Sequence, residues 1–241
     1  QWKTKLMNRH SAQSPEVMIE MIKASKIYSQ DVNALRDISI SIASGEMFFI
    51  IGKSGAGKTT LLKLISSMEQ PTAGLIEIGG QPIHQLNGYK LARLRQKIGV
   101  AYQDFKLLTD RTAAENVAIS MEVSYKKPQM IRKRVRDLLA QLDLTDKHDK
   151  ITGDLSRGEQ QRVTLARAIA NSPTMILVDE PTGNLDASTT EKVMKLLVKC
   201  NKSGATVVIA THDDSIYRHT PHRIMELQMG STLSVIRGNG I

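Results

Sequence analysis

The chain has 241 residues, of which 41% are hydrophobic and 4% aromatic, and its formal net charge is +9. This length and apolar content suit one large domain or two small ones, and the scarcity of aromatic residues argues against nucleic-acid binding by base stacking. The positive charge favours an acidic partner such as a nucleotide, a nucleic acid or an anionic membrane face. The single cysteine, Cys200, excludes an internal disulfide and suits a reducing compartment.

Residues 1–17 are polar and show no apolar period. We predict that they are a disordered or artefactual extension and that the domain spans 18–241. No run approaches the roughly eighteen apolar residues that a membrane-spanning helix needs, and the N-terminus lacks the apolar region of a secretory signal. The chain is therefore expected to be soluble or peripheral to a membrane.

Strand-like and helix-like segments alternate from Met18 onward. MIEMIKASKIY (18–28) is predicted to be an edge strand, and ISISI (38–42) a half-buried antiparallel strand. Four short apolar runs are predicted to be strands buried on both faces: MFFII, IGVAY, MILVD and TVVIA, at 47–51, 98–102, 175–179 and 206–210.

Apolar residues at helical spacing predict helices in the intervening segments, at 130–144, 159–171 and 188–200. Alternating strands and helices indicate an α/β fold with a mainly parallel sheet covered on both faces. The charged, helical stretch from about 104 to 160 contains no buried-strand pattern. We therefore predict an inserted α-helical subdomain there.

GKSGAGKT (52–59) fits the phosphate-loop pattern G-x-x-x-x-G-K-[ST] and lies between a buried strand and a helix. Glycines let the backbone fold around an anion, and the helix N-terminus adds partial positive charge. Lys58 is predicted to reach the β- and γ-phosphates of a nucleotide, and Thr59 to bind Mg²⁺. The predicted nucleotide-binding residues of this phosphate loop are Gly52, Lys53, Ser54, Gly55, Ala56, Gly57, Lys58, Thr59 and Thr60.

Polar residues follow three of the buried strands at their carboxyl ends, where ligands collect in open α/β sheets. In MILVDE, Asp179 is predicted to hold Mg²⁺ directly or through water, and Glu180 to orient or deprotonate the attacking water. His212 ends TVVIATH within reach of a γ-phosphate, and Gln103 follows IGVAY within reach of Mg²⁺ or the water. Alone, His212 and Gln103 would be ordinary loop residues, and the phosphate loop favours the catalytic interpretation.

LSRGEQQR (155–162) precedes a predicted helix. Ser156 and the amide of Gly158 could therefore donate to an anion at the helix N-terminus. Ser156 and Glu159 also fit a capping box, and the two roles are compatible.

The ordered set of GKSGAGKT, Gln103, LSRGE, MILVDE, GNLD (183–186) and His212 resembles the ATP-binding cassette (ABC) ATPases. The resemblance covers the chain from residue 18 onward and implies the P-loop NTPase fold of that family, with an N-terminal antiparallel β part. It also implies hydrolysis of ATP with Mg²⁺ in a head-to-tail homodimer. There, the phosphate loop of one copy and the LSRGE loop of the other enclose each ATP.

The same resemblance implies roles for four further residues. Tyr28 would stack on adenine, Ser156 and Gly158 would reach the γ-phosphate of the opposite site, and Asp186 would lie at the dimer seam. Arg157 stands where the family usually carries glycine. If that position requires a positive φ, an arginine would be strained by roughly 1 kcal/mol or more.

Within the family, YQDFKLLTDRTAAENVAI and DEPTGNLD, with the segments around them, look most like the FtsE branch of bacterial cell-division ATPases. That resemblance implies an integral membrane partner, FtsX, control of cell-wall hydrolases, and a peripheral position at the cytoplasmic face of the inner membrane. The ATPase of a lipoprotein-release or macrolide-type export transporter is an alternative, because such ATPases share DEPTGNLD.

Two other classes remain open. A nucleic-acid or translation-associated ABC ATPase would suit the positive charge, but such relatives usually fuse two cassettes or insert long coiled coils, so no nucleic acid is expected. A regulator that binds ATP without efficient turnover would explain Arg157, whereas Glu180 and His212 favour a working enzyme.

Overall fold

The computed structural model describes residues 16–29 and 32–238. Most of the predicted N-terminal extension therefore lies outside the described residues. The first strand begins at Val17, one residue before the predicted domain start, and the carbonyl of Glu16 already accepts a hydrogen bond from the N–H of Ser44.

Within the described residues, ten strands form two sheets. In chain order they are β1 (Val17–Tyr28), β2 (Val32–Ala43), β3 (Met47–Ile51), β4 (Ala73–Ile78), β5 (Gln81–Pro82), β6 (Ile98–Ala101), β7 (Met175–Asp179), β8 (Thr206–Thr211), β9 (Arg223–Gln228) and β10 (Ser231–Arg237). The helices are α1 (Lys58–Ile65), α2 (Gly88–Arg95), α3 (Ala113–Glu122), α4 (Pro128–Gln141), α5 (Arg157–Ala170) and α6 (Ala187–Lys202). Among the described residues, no helix is long and apolar enough to cross a membrane.

The larger sheet has the order β10-β9-β3-β8-β7-β6, and its five strands from β9 to β6 are parallel to one another. This confirms the predicted α/β fold with a mainly parallel sheet. Helices cover both faces, so the central strands are buried on both sides: Phe49 of β3 packs into one core cluster and Phe48 into the other. The edge strand β6 is only half-buried, contrary to the prediction for IGVAY, because none of the described strands pairs with its outer edge.

The smaller sheet is antiparallel, with the order β2-β1-β4-β5. The prediction that MIEMIKASKIY is an edge strand was wrong, because β1 lies between β2 and β4. Ile19, Met21 and Ala24 of β1 are fully buried, and the charged side chains between them face outward. Those charges mimic an edge strand, since one polar face is common to both situations.

Helices and turns occupy the chain between β6 and β7, as predicted for the region after residue 104. Helices α3 and α4 pack against each other and against α5. Apolar residues of all three helices join the core cluster on that face of the parallel sheet, for example Val117, Leu138 and Val163. Five elements had no prediction: α2, β4, β5, β9 and β10.

Candidate active site

The phosphate loop leaves β3 at the carboxyl edge of the parallel sheet and runs directly into α1. Its tight path requires glycine at specific points. Gly57 has φ +106°, and a Cβ there would lie 2.7 Å from the carbonyl oxygen of Ala34. A Cβ on Gly52 would lie 2.4 Å from the carbonyl oxygen of Leu227. The loop thus packs closely against the backbones of β2 and β9, and its N–H groups lie at the N-terminus of α1.

Lys58 is the first residue of α1 and is buried. Its ammonium donates to the carbonyl of Gly52 over 2.7 Å and to that of Lys53 over 3.3 Å. It also lies 3.2 Å from Oε1 of Glu180, which comes from the end of β7. The lysine side chain is therefore folded back across its own loop, and its charge is balanced by a buried carboxylate.

Thr59 and Asp179 bring α1 and β7 together. The hydroxyl of Thr59 donates to Oδ2 of Asp179 over 2.6 Å. The other carboxylate oxygen, Oδ1, is buried and has no hydrogen-bond partner among the residues that the structure describes. Burial raises the pKa of the Asp179 carboxyl above its ordinary value.

A buried carboxylate oxygen without a donor is costly unless something cationic or hydrogen-bonding completes it. Oxygen ligands of this kind suit Mg²⁺, which keeps several waters and shares its other positions with phosphate oxygens. Accordingly, the described chain contains no cluster of three His, Cys, Asp or Glu that would hold a metal by itself. Thr59 and Asp179 therefore fit the Mg²⁺ of a Mg–nucleotide complex.

Glu180 is buried and is held by contacts on every side. Its Oε1 accepts from Nδ1–H of His212 over 2.8 Å, besides facing Lys58. Its Oε2 accepts from the hydroxyl of Thr211 over 3.1 Å. The backbone of Glu180 adopts φ +51°, the left-handed region that non-glycine residues rarely occupy. Such strain typically clusters at functional sites and costs about 1–3 kcal/mol.

Tyr28 ends β1 close to the phosphate loop. Its hydroxyl donates to Glu69 over 2.7 Å and lies 3.5 Å from the hydroxyl of Thr60. The ammonium of Lys26 sits 5.2 Å from the centre of the ring. These contacts hold the half-buried ring in place. Burial is the largest cause that raises the pKa of the Tyr28 hydroxyl above its ordinary value.

Gln103 is exposed at the end of β6, and no hydrogen bond of its side chain is recorded in the described chain. The segment after it is anchored from two sides. Asn116 of α3 bonds both the N–H and the carbonyl of Leu108, and Arg167 of α5 donates to the carbonyl of Phe105 over 2.7 Å. The structure thus places Gln103 on an anchored loop at the carboxyl edge of the sheet, and among the described residues its side chain has no hydrogen bond to Thr59 or Asp179.

Leu155–Gly158, which we call the signature loop, runs into the first turn of α5. Ser156 caps this helix, and the capping box with Glu159 is complete, as the sequence predicts. Arg157 is the first residue of the helix and does not have a positive φ, so it avoids the strain of the left-handed conformation. Its guanidinium lies 5.4 Å from the ring centre of Phe105.

Gly158, in contrast, has no room for a side chain: a Cβ would lie 2.8 Å from the carbonyl oxygen of Asn184. The glycine that the loop requires is therefore Gly158, and the arginine at 157 is accommodated. Asp186 caps α6, and hydrogen bonds from the backbone of Thr189 and the hydroxyls of Ser188 and Thr189 lower its pKa to about 2.

Some of the predicted residues meet and others do not. The phosphate loop, Asp179, Glu180 and His212 form one connected cluster, and Tyr28 touches it through Thr60. The signature loop contacts Phe105 and Asn184 instead, and none of its recorded contacts reaches the phosphate loop of the same chain.

Sequence reasoning missed three residues that organise the site. Thr211 bonds the Glu180 carboxylate, Asn116 holds the loop after Gln103, and Gln161 donates to the carbonyl of Glu180. Gln161 was detectable in principle, because it is a polar residue on the apolar stripe of α5 that contains Leu165 and Ile169. The contacts of the other two depend on tertiary structure.

A family model described as ABC transporter matches residues 35–183. FtsE, the cell division ATP-binding protein of Bacillus subtilis, is 43% identical over 213 residues, which cover 88% of this chain and 93% of that protein. FtsE of Mycobacterium tuberculosis is 40% identical over 215 residues, 89% of this chain and 94% of that one. The methionine import ATP-binding protein MetN 2 of Bacillus licheniformis is 39% identical, covering 90% of this chain and 64% of that protein.

Solved structures agree. The dimeric structure of MJ0796, a bacterial ABC transporter cassette, is 36% identical, covers 93% of this chain and 100% of that chain, and superposes with a TM-score of 0.88. A dimeric post-hydrolysis state of the same cassette, bound to ADP and Pi, superposes with a TM-score of 0.87. The family model spans well over half of this chain, and the FtsE relatives are 40–43% identical over 88–89% of it. The chain therefore belongs to the ABC transporter ATPases and hydrolyses ATP with Mg²⁺.

Proposed function

We propose that this ATPase acts in bacterial cell division as FtsE does, driving the integral membrane partner FtsX and, through it, cell-wall hydrolases. The observation that carries the catalytic part is the Glu180 carboxylate, buried between Lys58 and His212 beside the Thr59–Asp179 pair. The division role is supported by the FtsE relatives and by the segment YQDFKLLTDRT.

Hydrolysis uses groups that the site already holds in place. The Lys58 ammonium exchanges its loop carbonyls for the β- and γ-phosphates, which frees the Glu180 carboxylate to orient and deprotonate water. His212 keeps that carboxylate aimed and faces the γ-phosphate. Thr59 and Asp179 would hold Mg²⁺, which would supply positive charge against the negative charge that develops on the phosphates.

Further contacts to ATP come from the periphery. The Tyr28 ring, fixed through Glu69, stacks on the adenine. Gln103, at the carboxyl edge of the sheet, would contact the Mg²⁺ and the water.

The signature loop completes a site only in a second copy of the chain. Ser156 and Gly158 lie at the N-terminus of α5, where donors favour an anion, but their contacts lead away from the phosphate loop of their own chain. A head-to-tail homodimer brings each signature loop to the γ-phosphate held by the other copy, with Asp186 at the seam. The dimeric cassettes among the solved relatives support this arrangement.

Mixing two inactive variants tests the dimer. Lys58→Ala removes the phosphate lysine, and Gly158→Ala clashes with Asn184. In a mixed dimer both defects fall in one site and leave the other able to enclose ATP. With Glu180→Gln present in both variants to block hydrolysis, an equal mixture should therefore form ATP-dependent dimers on size-exclusion chromatography that neither variant forms alone. Dimer formation by the mixture no greater than the sum of the separate variants would refute the arrangement.

A membrane partner has a suitable surface beside the site. An open, mainly apolar cleft between α3 and α4 is lined by Ala114, Ala118, Tyr125, Ile131 and Val135. Asn116 bonds α3 to the loop that follows Gln103. A short segment of the partner bound in this cleft would therefore shift that loop and alter the position of Gln103 relative to the nucleotide. The chain would then lie peripherally at the cytoplasmic face of the inner membrane.

The partner is tested by capture from solubilised membranes of the source cells. Tagged Glu180→Gln protein with ATP and Mg²⁺ serves as bait, and bound proteins are identified by mass spectrometry. Ala118→Arg should lose the partner by filling the cleft, whereas Ala140→Arg, the same change at an exposed position of α4, should retain it.

Capture of an FtsX-type protein by the bait with an unaltered cleft, and its loss with Ala118→Arg, would support the division role. A methionine-import permease is the second candidate, because MetN proteins match almost as well. Recovery of that permease, or of a lipoprotein-release or export permease, would keep the ATPase and overturn the division role. Recovery of nucleic acid or ribosomes alone would overturn the membrane role itself.

A further inference from the structure

Gln161 is a buried amide that joins three parts of the site. It lies in the second turn of α5 and is 8% exposed. Its Nε2 donates to the carbonyl oxygen of Glu180 over 2.7 Å, and its Oε1 accepts from Nδ2 of Asn184 over 3.2 Å. A buried amide is retained at a position where an apolar side chain would pack only if its hydrogen bonds matter.

The bond to Glu180 acts on a strained backbone. Glu180 has φ +51°, and its N–H is held by the carbonyl of Ala210 in β8 over 2.8 Å. On the other side, its carbonyl is held by Gln161, and no backbone N–H donates to it within the described part of the chain. The left-handed conformation persists because both neighbouring peptide groups are fixed.

The same helix carries the signature loop. Gly158 lies one turn before Gln161 and packs directly on the carbonyl of Asn184, where a Cβ would be only 2.8 Å away. Asn184 in turn bonds Gln161. The first turn of α5, Asn184 and the Glu180 backbone are therefore one hydrogen-bonded, close-packed unit, so a displacement of the signature loop moves the Glu180 carbonyl with it.

We propose that Gln161 is a positioning residue that couples the two ATP sites of the dimer: when the signature loop closes on the partner copy's ATP, Gln161 sets Glu180 for hydrolysis of the ATP in its own chain. This inference rests on the head-to-tail dimer of the proposed function. The hydrogen bonds of the Gln161 side chain go to Glu180 and Asn184 and not to the phosphate loop, so its effect falls on the geometry of Glu180 and on communication between the sites.

The experiment measures turnover against ATP concentration for Gln161→Met, which keeps the length and loses both hydrogen bonds. Turnover should fall about 10- to 100-fold, because small misplacements of a catalytic group have effects of that size. The KM for ATP should stay within about two-fold, because the phosphate loop is unchanged. The Hill coefficient should fall towards one, because the coupling between the two ATP sites is lost. Gln160→Met is the matched control: its side chain bonds the carbonyl of Thr152 and faces away from Glu180.

A second variant separates positioning from mere packing. Gln161→Glu has the same shape and still accepts from Asn184, but it donates to the Glu180 carbonyl only when protonated. Burial raises the pKa of such a carboxyl. Its turnover relative to wild type should therefore rise as the pH falls from about 8 to about 6, whereas that of Gln161→Met should not. Asn184→Ala should resemble Gln161→Met with a smaller loss.

The outcomes separate the two hypotheses. If the mixture of Lys58→Ala and Gly158→Ala forms ATP-dependent dimers but Gln161→Met behaves like Gln160→Met, the dimer stands and Gln161 has no positioning role. The role is likewise overturned if the loss appears in KM, or if Gln161→Glu shows the pH profile of wild type. If the mixture forms no such dimers, the dimer fails, and the coupling fails with it.

Discussion

The phosphate loop and the signature loop both lie at the N-terminus of a helix, yet their polar groups are satisfied in opposite ways. Lys58 is buried and paired with loop carbonyls and with Glu180 from a distant strand. Ser156 is exposed, and in the described part of the chain its side chain bonds only Glu159 in the same helical turn. The first region is built by long-range contacts and the second by local ones.

This difference shows where each region finds its function. A buried charge must be compensated within the fold, so the chain holds its catalytic groups ready before ATP arrives. A local cap leaves the outward side of the signature loop free for another surface. The chain thus contains one well-built half of an ATP site and, elsewhere, exposed donors that would complete the other half in a second copy in the proposed homodimer.

The largest expected effect breaks the buried half. Lys58→Ala should abolish measurable ATP binding and lower turnover by about 10³-fold or more, because a charge that contacts the transferred phosphate is lost. It also leaves Glu180 without its buried cation, so the Tm should fall. Isothermal titration and thermal unfolding would measure both, with Lys202→Ala at the exposed end of α6 as the control. Normal ATP affinity in Lys58→Ala would contradict the assignment of this lysine.

Glu180→Gln separates chemistry from binding in the same half. Glutamine fills the same space but cannot accept the proton of water, so turnover should fall at least about 100-fold while ATP still binds. ATP-bound dimers should then accumulate, measurable by size-exclusion chromatography with and without Mg–ATP. Asp154→Asn, on the surface, is the matched carboxylate control. Unchanged turnover in Glu180→Gln would move the catalytic base to another residue.

Gly158→Ala tests the exposed half by itself. The new methyl group would meet the carbonyl of Asn184, so the loop must shift, and turnover should fall by about 10- to 100-fold. ATP affinity of the monomer should not change, because the clash lies away from the phosphate loop. Gly204→Ala, at a turn where a Cβ meets no atom within 4 Å, controls for the methyl group, although its φ of +101° introduces backbone strain. A loss of ATP affinity in Gly158→Ala would mean that the two halves are not separable.

The exposed and buried halves also differ in how far the sequence predicts them. The phosphate loop and the acidic residues at the end of β7 can be predicted from short sequence motifs. In the phosphate loop this is possible because a strand, a glycine-rich turn and a helix follow one another directly in the sequence. The capping box of Ser156 is likewise a local pattern and is predicted correctly. The contacts of Gln161 and Thr211 with Glu180 join elements far apart in the chain, which no local period encodes.

The missed strands have a similar physical reason. β4 is short, and only Ile76 and Ile78 of its residues are buried, so its alternation is too brief to stand out. Its pairing with β1 is what converts the predicted edge strand into a central one. The segment of β4 becomes a strand because it pairs with β1, and a short window of sequence does not show which strand it will pair with.

The smallest expected effect concerns Arg157, the departure from the family's usual glycine. Arg157→Gly should leave turnover within about two-fold of wild type, because residue 157 is helical and the close contact belongs to Gly158. Stability should fall by about 1–2 kcal/mol, from the lost contact with the Phe105 ring and the greater backbone freedom of glycine. That corresponds to a Tm lower by roughly 2–8 °C. Arg132→Gly, at an exposed position of α4, measures the glycine contribution alone, so the difference between the two variants isolates the contact with Phe105. A many-fold rise in turnover would instead make Arg157 a brake on the exposed half and revive the view of this chain as a slow, ATP-binding regulator.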